Sequence, residues 1–146
     1  MKYSSFLFFT ICFFLSQHLN AQFNNSMDTR MRDFINTPFM EQYQKIQLKM
    51  IRQVKTFMAE QNNYTPAEVQ KVKEAYTTTS KAFNNILLDI KKDFLDRKIR
   101  KIIKDAPDLY HSKLEMSMGA LKDTYATDFL QTLSDVKGEQ IDGGVG

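Results

Sequence analysis

The sequence of 146 residues is poor in cysteine, glycine and proline: it has one cysteine, five glycines and three prolines, and it has no tryptophan. The cysteine, Cys12, lies in an apolar run near the N-terminus, so a mature chain without that run has no thiol for catalysis or for disulfide bonds. Small residues do not precede Cys12 as they do in a lipoprotein signal. The sequence therefore excludes cysteine chemistry in the mature chain and argues against a lipid anchor.

Histidine is also scarce, and this limits the metal sites that can be built. His18 lies in the N-terminal segment, which leaves His111, with Asp108 and Glu115 on the same face of a predicted helix. Metal sites among packed helices usually take ligands from several helices. Thioethers could bind Cu(I), but methionine commonly fills irregular cores; the residues concerned are Met27, Met31, Met116 and Met118. We predict no metal, no cofactor and no catalytic residue.

The N-terminal residues have the layout of a secretory signal peptide. Lys2 is followed by an apolar run from Phe6 to Leu15 and by a polar stretch that ends at Ala21. The run is shorter than the roughly 20 residues that a membrane-spanning helix needs. We predict cleavage after Ala21 and a periplasmic or secreted protein, with a single helical domain at 22–137 and a disordered tail at 138–146.

Apolar residues recur at spacings of three and four along most of the chain, and no stretch alternates as a half-buried strand does. Three long helices are predicted, beginning at Thr37-Pro38, at Thr65-Pro66 and at Pro107, after a short helix at about 28–36. Thr65 and Glu68 have the spacing of a capping box. The predicted fold is all-α: an antiparallel three-helix bundle, or a four-helix bundle with the short N-terminal helix, with coiled-coil-like seams.

Two places in the middle helix leave its continuity open. The run TTTS at 77–80 holds residues that disfavour helix, and we expect a bend or looser packing at Thr79. After Phe94 the apolar positions rotate to another side, so the helix either changes partners or breaks near Asp96.

Charge is unevenly distributed along the chain. Residues 45–104 hold 14 Lys and Arg against 6 Asp and Glu, whereas residues 105–146 hold 3 against 8. The densest basic segment, Arg97 to Lys104, has five cations in eight positions. We interpret it as a solvated helix face paired with acidic side chains that follow it: Asp105, Asp108, Glu115, Asp123 and Asp128. An anionic membrane surface is the alternative partner, and nucleic acid is not expected for an exported protein.

The sequence favours a non-enzymatic protein of the cell envelope that acts as a protein-interaction or chaperone-like module. Excess apolar residues near the end of the middle helix indicate a protein partner or self-association. The predicted interaction surface consists of Leu95, Arg97, Ile99, Arg100, Lys101, Ile103 and Lys104. The alternatives are a small-ligand or lipid carrier with a cavity lined by Phe57, Phe83 and Tyr125, and a hydrolase that uses scattered carboxylates.

Overall fold

The computed structural model describes residues 29–138, and all regular structure in this range is helical. The prediction of an all-α fold is confirmed. The predicted signal peptide, Met27, the predicted helix start at Asp28 and the tail after Gly138 lie outside the described residues. Within the described range, none of the helices combines the length and the apolar character needed to cross a bilayer.

Five helices make up the described chain. They are α1 (Thr29–Ile35), α2 (Pro38–Ala59), α3 (Pro66–Leu95), α4 (Arg97–Asp105) and α5, which begins as Pro107–Thr124, continues through the π-helical segment Tyr125–Leu130 and ends as Gln131–Lys137. A short 3₁₀ turn, Gln61–Asn63, joins α2 to α3. Gly138 then ends α5 in the left-handed conformation, with φ of 68°, which favours glycine.

Side-chain caps fix where α2 and α3 begin, as the sequence predicts. Thr37 Oγ1 accepts a hydrogen bond from the backbone N–H of Met40 at 3.2 Å. At α3, the N–H of Glu68 donates to Thr65 Oγ1 at 3.2 Å, and the N–H of Thr65 donates to Glu68 Oε1 at 2.9 Å. Because both partners are satisfied, the capping box is complete. The hydrogen bond from the Thr65 backbone N–H, and then that from the Thr65 side chain, lower the pKa of the Glu68 carboxyl.

Asp96 separates α3 from α4. Its backbone has φ of −82° and ψ of 125°, outside the helical region, so α3 ends there. Its carboxylate Oδ1 accepts hydrogen bonds from the N–H groups of Lys98 at 2.8 Å and Ile99 at 3.1 Å, which starts α4. In contrast, α3 is continuous through 77–80. Thr79 there is fully buried, and its hydroxyl has no hydrogen-bond partner among the described residues.

The π-helical segment keeps the apolar side of α5 facing the core. Leu121, Tyr125, Phe129 and Leu133 are all buried and follow one another at intervals of four. In an α-helix each such step would advance by about 40°, since four residues exceed one turn of 3.6. A π-helix has more residues per turn, with i to i+5 hydrogen bonds, and so cancels this drift.

Helices α2, α3 and α5 contact one another, α1 contacts α3, and α4 contacts both α3 and α5. Ring contacts give the directions: Tyr76 lies 6.5 Å from Phe129 and Phe94 lies 5.4 Å from Tyr110, so α3 and α5 run antiparallel. Phe34 of α1 lies 5.8 Å from Phe94. Helices α1 and α4 therefore both lie where α3 ends and α5 begins.

Candidate interaction surface

Helix α4 is held against the core by one side. Ile99 and Ile103, four residues apart, are partly buried and pack against the core residues. Residues at this spacing share one face of a helix. Helix α4 therefore does not project from the molecule, because the break at Asp96 lets it turn onto α3 and α5.

The structure divides the predicted interaction residues into three groups. Arg97, Lys101 and Lys104 are exposed, and Leu95 is 42% exposed, so they are available to a partner. Ile99 and Ile103 face inward instead and position the helix. Arg100 is intermediate.

Two exposed residues of this region, Lys98 and Ile102, were missed by sequence reasoning. Ile102 is 46% exposed. At 100° per residue the three isoleucines at 99, 102 and 103 spread over about 100°, and Ile102 lies at one edge of this arc. We use the name α4 surface for the exposed side chains around this helix: Leu95, Arg97, Lys98, Lys101, Ile102 and Lys104.

The basic residues of α4 are not paired as the sequence suggested. Arg100 Nη2 forms an ion pair with Asp33 Oδ2 of α1 at 3.2 Å. Among residues 29–138, the cations of the α4 surface, Arg97, Lys98, Lys101 and Lys104, form no ion pair. The prediction that the acidic residues after Lys104 neutralise this run is therefore wrong.

Distance and other contacts explain why these acidic residues do not pair with the cations of the α4 surface. Helix α4 contacts the beginning of α5, whereas Asp123 and Asp128 lie at least about 24 Å further along that helix at 1.5 Å per residue. Asp108 lies in the first turn of α5, where a carboxylate complements the helix N-terminus. Glu115 is 3.0 Å from His111 Nε2.

The charged contact between α3 and α5 has the opposite polarity to the predicted one. The ammonium of Lys113 on α5 pairs with Asp93 on α3 and lies 3.7 Å from Asp89 Oδ2. The Tyr110 hydroxyl donates to Asp93 Oδ2 at 3.2 Å. Thus the last helix supplies the cation and the middle helix supplies the carboxylates.

These contacts shift the pKa values of both α5 side chains. Burial alone lowers the pKa of Lys113, but the hydrogen bond from its ammonium to Asp93 and the negative charges of Asp93 and Asp89 outweigh it, so the net shift is upward. Burial, with the negative charge of Asp93, raises the pKa of Tyr110 above its ordinary value. Both groups therefore stay protonated at neutral pH.

Of the residues considered as metal ligands, His111 and Glu115 lie 3.0 Å apart. The described residues contain no group of three or more His, Cys, Asp or Glu side chains that could hold a metal ion. His111 and Glu115 are both more than half exposed. Met118 and Met31 pack against the core, whereas Met116 is among the most exposed apolar side chains, so their thioethers do not share a site.

The residues predicted to line a carrier cavity lie inside the packed core. Phe57, Phe83 and Tyr125 are almost completely buried. The Tyr125 hydroxyl donates to Gln53 Oε1 of α2, and the Tyr125 ring stacks on Phe129 at 5.9 Å. A ligand between the helices would have to displace these contacts.

Comparisons of the chain with protein-family models, with curated proteins and with solved structures find no match.

Proposed function

We propose that this chain is a non-enzymatic interaction protein of the cell envelope, and that it binds its partner through the α4 surface. The observation that carries the proposal is the set of four exposed cations that have no ion-pair partner within the described residues. On the same helix Ile102, an exposed apolar side chain, lies on the flank between Lys98 and Ile99. Single exposed apolar residues are normal on protein surfaces, so it is their combination with uncompensated charge that favours a binding role.

The attachment of α4 supports this role. Ile99 and Ile103 pack against the core on one side, and the ion pair of Arg100 with Asp33 ties the helix to α1 on another. The carboxylate of Asp96 caps its first turn. A surface that is already ordered loses less conformational entropy when a partner binds.

We also infer that α2, α3 and α5 form a three-helix bundle with coiled-coil-like seams, and that α1 and α4 close one of its ends. The mutual contacts of the three long helices and the antiparallel ring contacts support this arrangement. It gives α4 a rigid base that leaves its outer side free.

Export rests on the sequence of the first 21 residues, which has the order of charge, apolar run and polar end that signal peptides have. In an expressing Gram-negative host we expect the chain in the periplasm, with Gln22 as its first residue. N-terminal sequencing of the recovered protein tests this point separately from the binding surface.

Site-specific photocrosslinking tests the binding surface in cells that produce the protein. A benzophenone side chain at position 102 is expected to give adducts heavier than the chain, and neutralising Arg97 and Lys101 with glutamine should reduce them. The matched control carries the same group at Lys71, an exposed position near the other end of α3. Equal crosslinking at 102 and 71, or crosslinking that the glutamines leave unchanged, would contradict the proposal.

A further inference from the structure

We infer that the partner of the α4 surface is the anionic surface of a lipid bilayer, which the protein binds peripherally and mainly through charge. The inference rests on the proposed function, because it takes α4 as the binding surface and names the chemistry that it meets. It also predicts properties that a protein partner would not require: no stereospecific pocket, strong dependence on salt and strong dependence on the charge of the lipid headgroups.

The direction of the cations supports a flat and extended anionic partner. Arg97, Lys101 and Lys104 follow one another at spacings of four and three, so they form one stripe along the helix. At 100° per residue this stripe lies roughly opposite Ile99 and Ile103, the residues that pack against the core. The charges therefore point outward from a convex helix rather than converge on one point, as the ligands of a single carboxylate would.

The nearby carboxylates are accounted for by other contacts or by other helix ends. Asp96 accepts hydrogen bonds from the N-terminal N–H groups of α4, and Asp33 is paired with Arg100. Asp108 lies in the first turn of α5. Asp105 remains exposed at the end of α4 and weakens the field of the stripe without cancelling four cations.

The apolar side chains define the depth of binding. Ile102 lies on the flank of α4, about 100° around the helix from Lys101, and Leu95 precedes the helix; both are about half exposed. The long stems of lysine and arginine let their charges reach headgroups while such side chains enter the interfacial layer. Because Ile99 and Ile103 pack against the core, α4 cannot bury a full apolar face in the bilayer. Binding should therefore be shallow and reversible.

The expected strength follows from the number of cations. Each lysine or arginine near an anionic membrane gives roughly a five-fold gain in the partition coefficient. Allowing for Asp105, the four cations should make the partition coefficient for anionic vesicles about 10²-fold larger than for neutral vesicles at low salt. At about 1 M salt the screening length falls to about 3 Å, and most of this ratio should disappear.

The test is sedimentation of the full chain with vesicles of phosphatidylglycerol and phosphatidylcholine in equal parts, and with vesicles of phosphatidylcholine alone. The measured quantity is the ratio of the two partition coefficients, so that any binding by the apolar run at 6–15 contributes to both. In one variant, Arg97, Lys98, Lys101 and Lys104 are all changed to glutamine. A matched variant changes four exposed lysines elsewhere, Lys55, Lys71, Lys81 and Lys122, and so removes the same net charge.

We expect the α4 variant to lose most of the ratio and the matched variant to keep most of it. Circular dichroism should show the same helical content in both, since all eight side chains are exposed. Equal losses in the two variants, or a ratio near one for the unchanged protein, would overturn the lipid inference.

The two proposals can fail separately. If vesicles do not bind but the crosslink from position 102 persists and depends on Arg97 and Lys101, the partner is an acidic protein: the proposed function stands and the lipid inference is wrong. If both the vesicle ratio and the crosslink are unaffected by the α4 substitutions, the proposed function is wrong as well.

Discussion

Changing Asp93 to asparagine removes the charge that joins α3 to α5 while keeping the size of the side chain. Asp93 is 15% exposed, and it accepts hydrogen bonds from both Lys113 and the Tyr110 hydroxyl. Asparagine can still accept the bond from Tyr110, so the loss falls mainly on the ammonium of Lys113. This substitution therefore isolates the charge of the pair from its packing.

The exposure of Asp93 and Lys113 limits how much stability the Asp93→Asn substitution should remove. Hydrogen bonds to charged groups contribute about 1.5–3 kcal/mol to stability, whereas exposed ion pairs contribute about 0–1 kcal/mol. Lys113 is 41% exposed, so water can partly replace the lost carboxylate. We expect a decrease of about 1–2 kcal/mol in the free energy of unfolding, or about 5–10 °C in Tm.

Urea and thermal unfolding, followed by far-ultraviolet circular dichroism at neutral pH, measure this change. The matched control is Asp89→Asn, because Asp89 is 64% exposed and 3.7 Å from the same ammonium; it should cost less than about 0.5 kcal/mol. A double-mutant cycle that combines Asp93→Asn with Lys113→Met should give a coupling energy of about 1 kcal/mol. Equal costs for the two asparagine variants, or a coupling energy near zero, would refute the argument.

Three further predictions test other parts of the fold. Thr65→Ala should cost about 1 kcal/mol in urea unfolding, because α3 loses its capping box, whereas an unchanged midpoint would mean that packing alone fixes the start of the helix. Burial raises the pKa of Tyr125 from 10 to about 12, so the folded state keeps this phenol neutral while the unfolded state ionises it. Stability is therefore lost as pH rises from about 10 towards 12. Tyr125→Phe should cost about 1 kcal/mol at pH 7, where it loses the bond to Gln53, and yet reduce the alkaline loss; a pH titration of stability with the same slope as the parent protein would contradict this. Deleting Ala126, an exposed residue of the π-helical segment, should restore an α-helix without rotating the later core positions, and so should lower Tm far less than deleting the exposed Glu74 from α3; comparable losses of Tm would show that the π-helical segment does not absorb the extra residue.

Local signals in the sequence predicted the features that depend on a few neighbouring residues. Thr65, Pro66 and Glu68 lie within one turn, so the start of α3 could be read from spacing alone. The break near Asp96 was foreshadowed by the rotation of the apolar positions after Phe94, but the sequence left a continuous helix open. Whether the helix breaks at Asp96 depends on the packing of Ile99 and Ile103 on the core, which is a tertiary contact.

The candidate surface could be located from the sequence but not resolved into its parts. A run of five cations identifies the segment, yet its partners depend on where α4 lies after the break. Sequence proximity suggested the carboxylates that follow, whereas the structure pairs Arg100 with Asp33, 67 residues earlier in the chain. The π-helical segment was missed for a related reason, because a regular α-helix was assumed when the apolar residues of α5 were counted.

The reversed polarity of the α3–α5 contact explains why the cations of α4 remain uncompensated. The acidic side chains of α3 nearest to this end of the molecule, Asp89 and Asp93, are occupied by Lys113, and Asp33 is occupied by Arg100. The acidic residues in the later part of α5 lie beside the beginning of α3, since Phe129 contacts Tyr76. The cations of the α4 surface are thus exposed to solvent instead of being neutralised by the chain that follows. A molecule with this distribution should approach an anionic surface with α4 first, because the field of exposed charges acts before any contact forms.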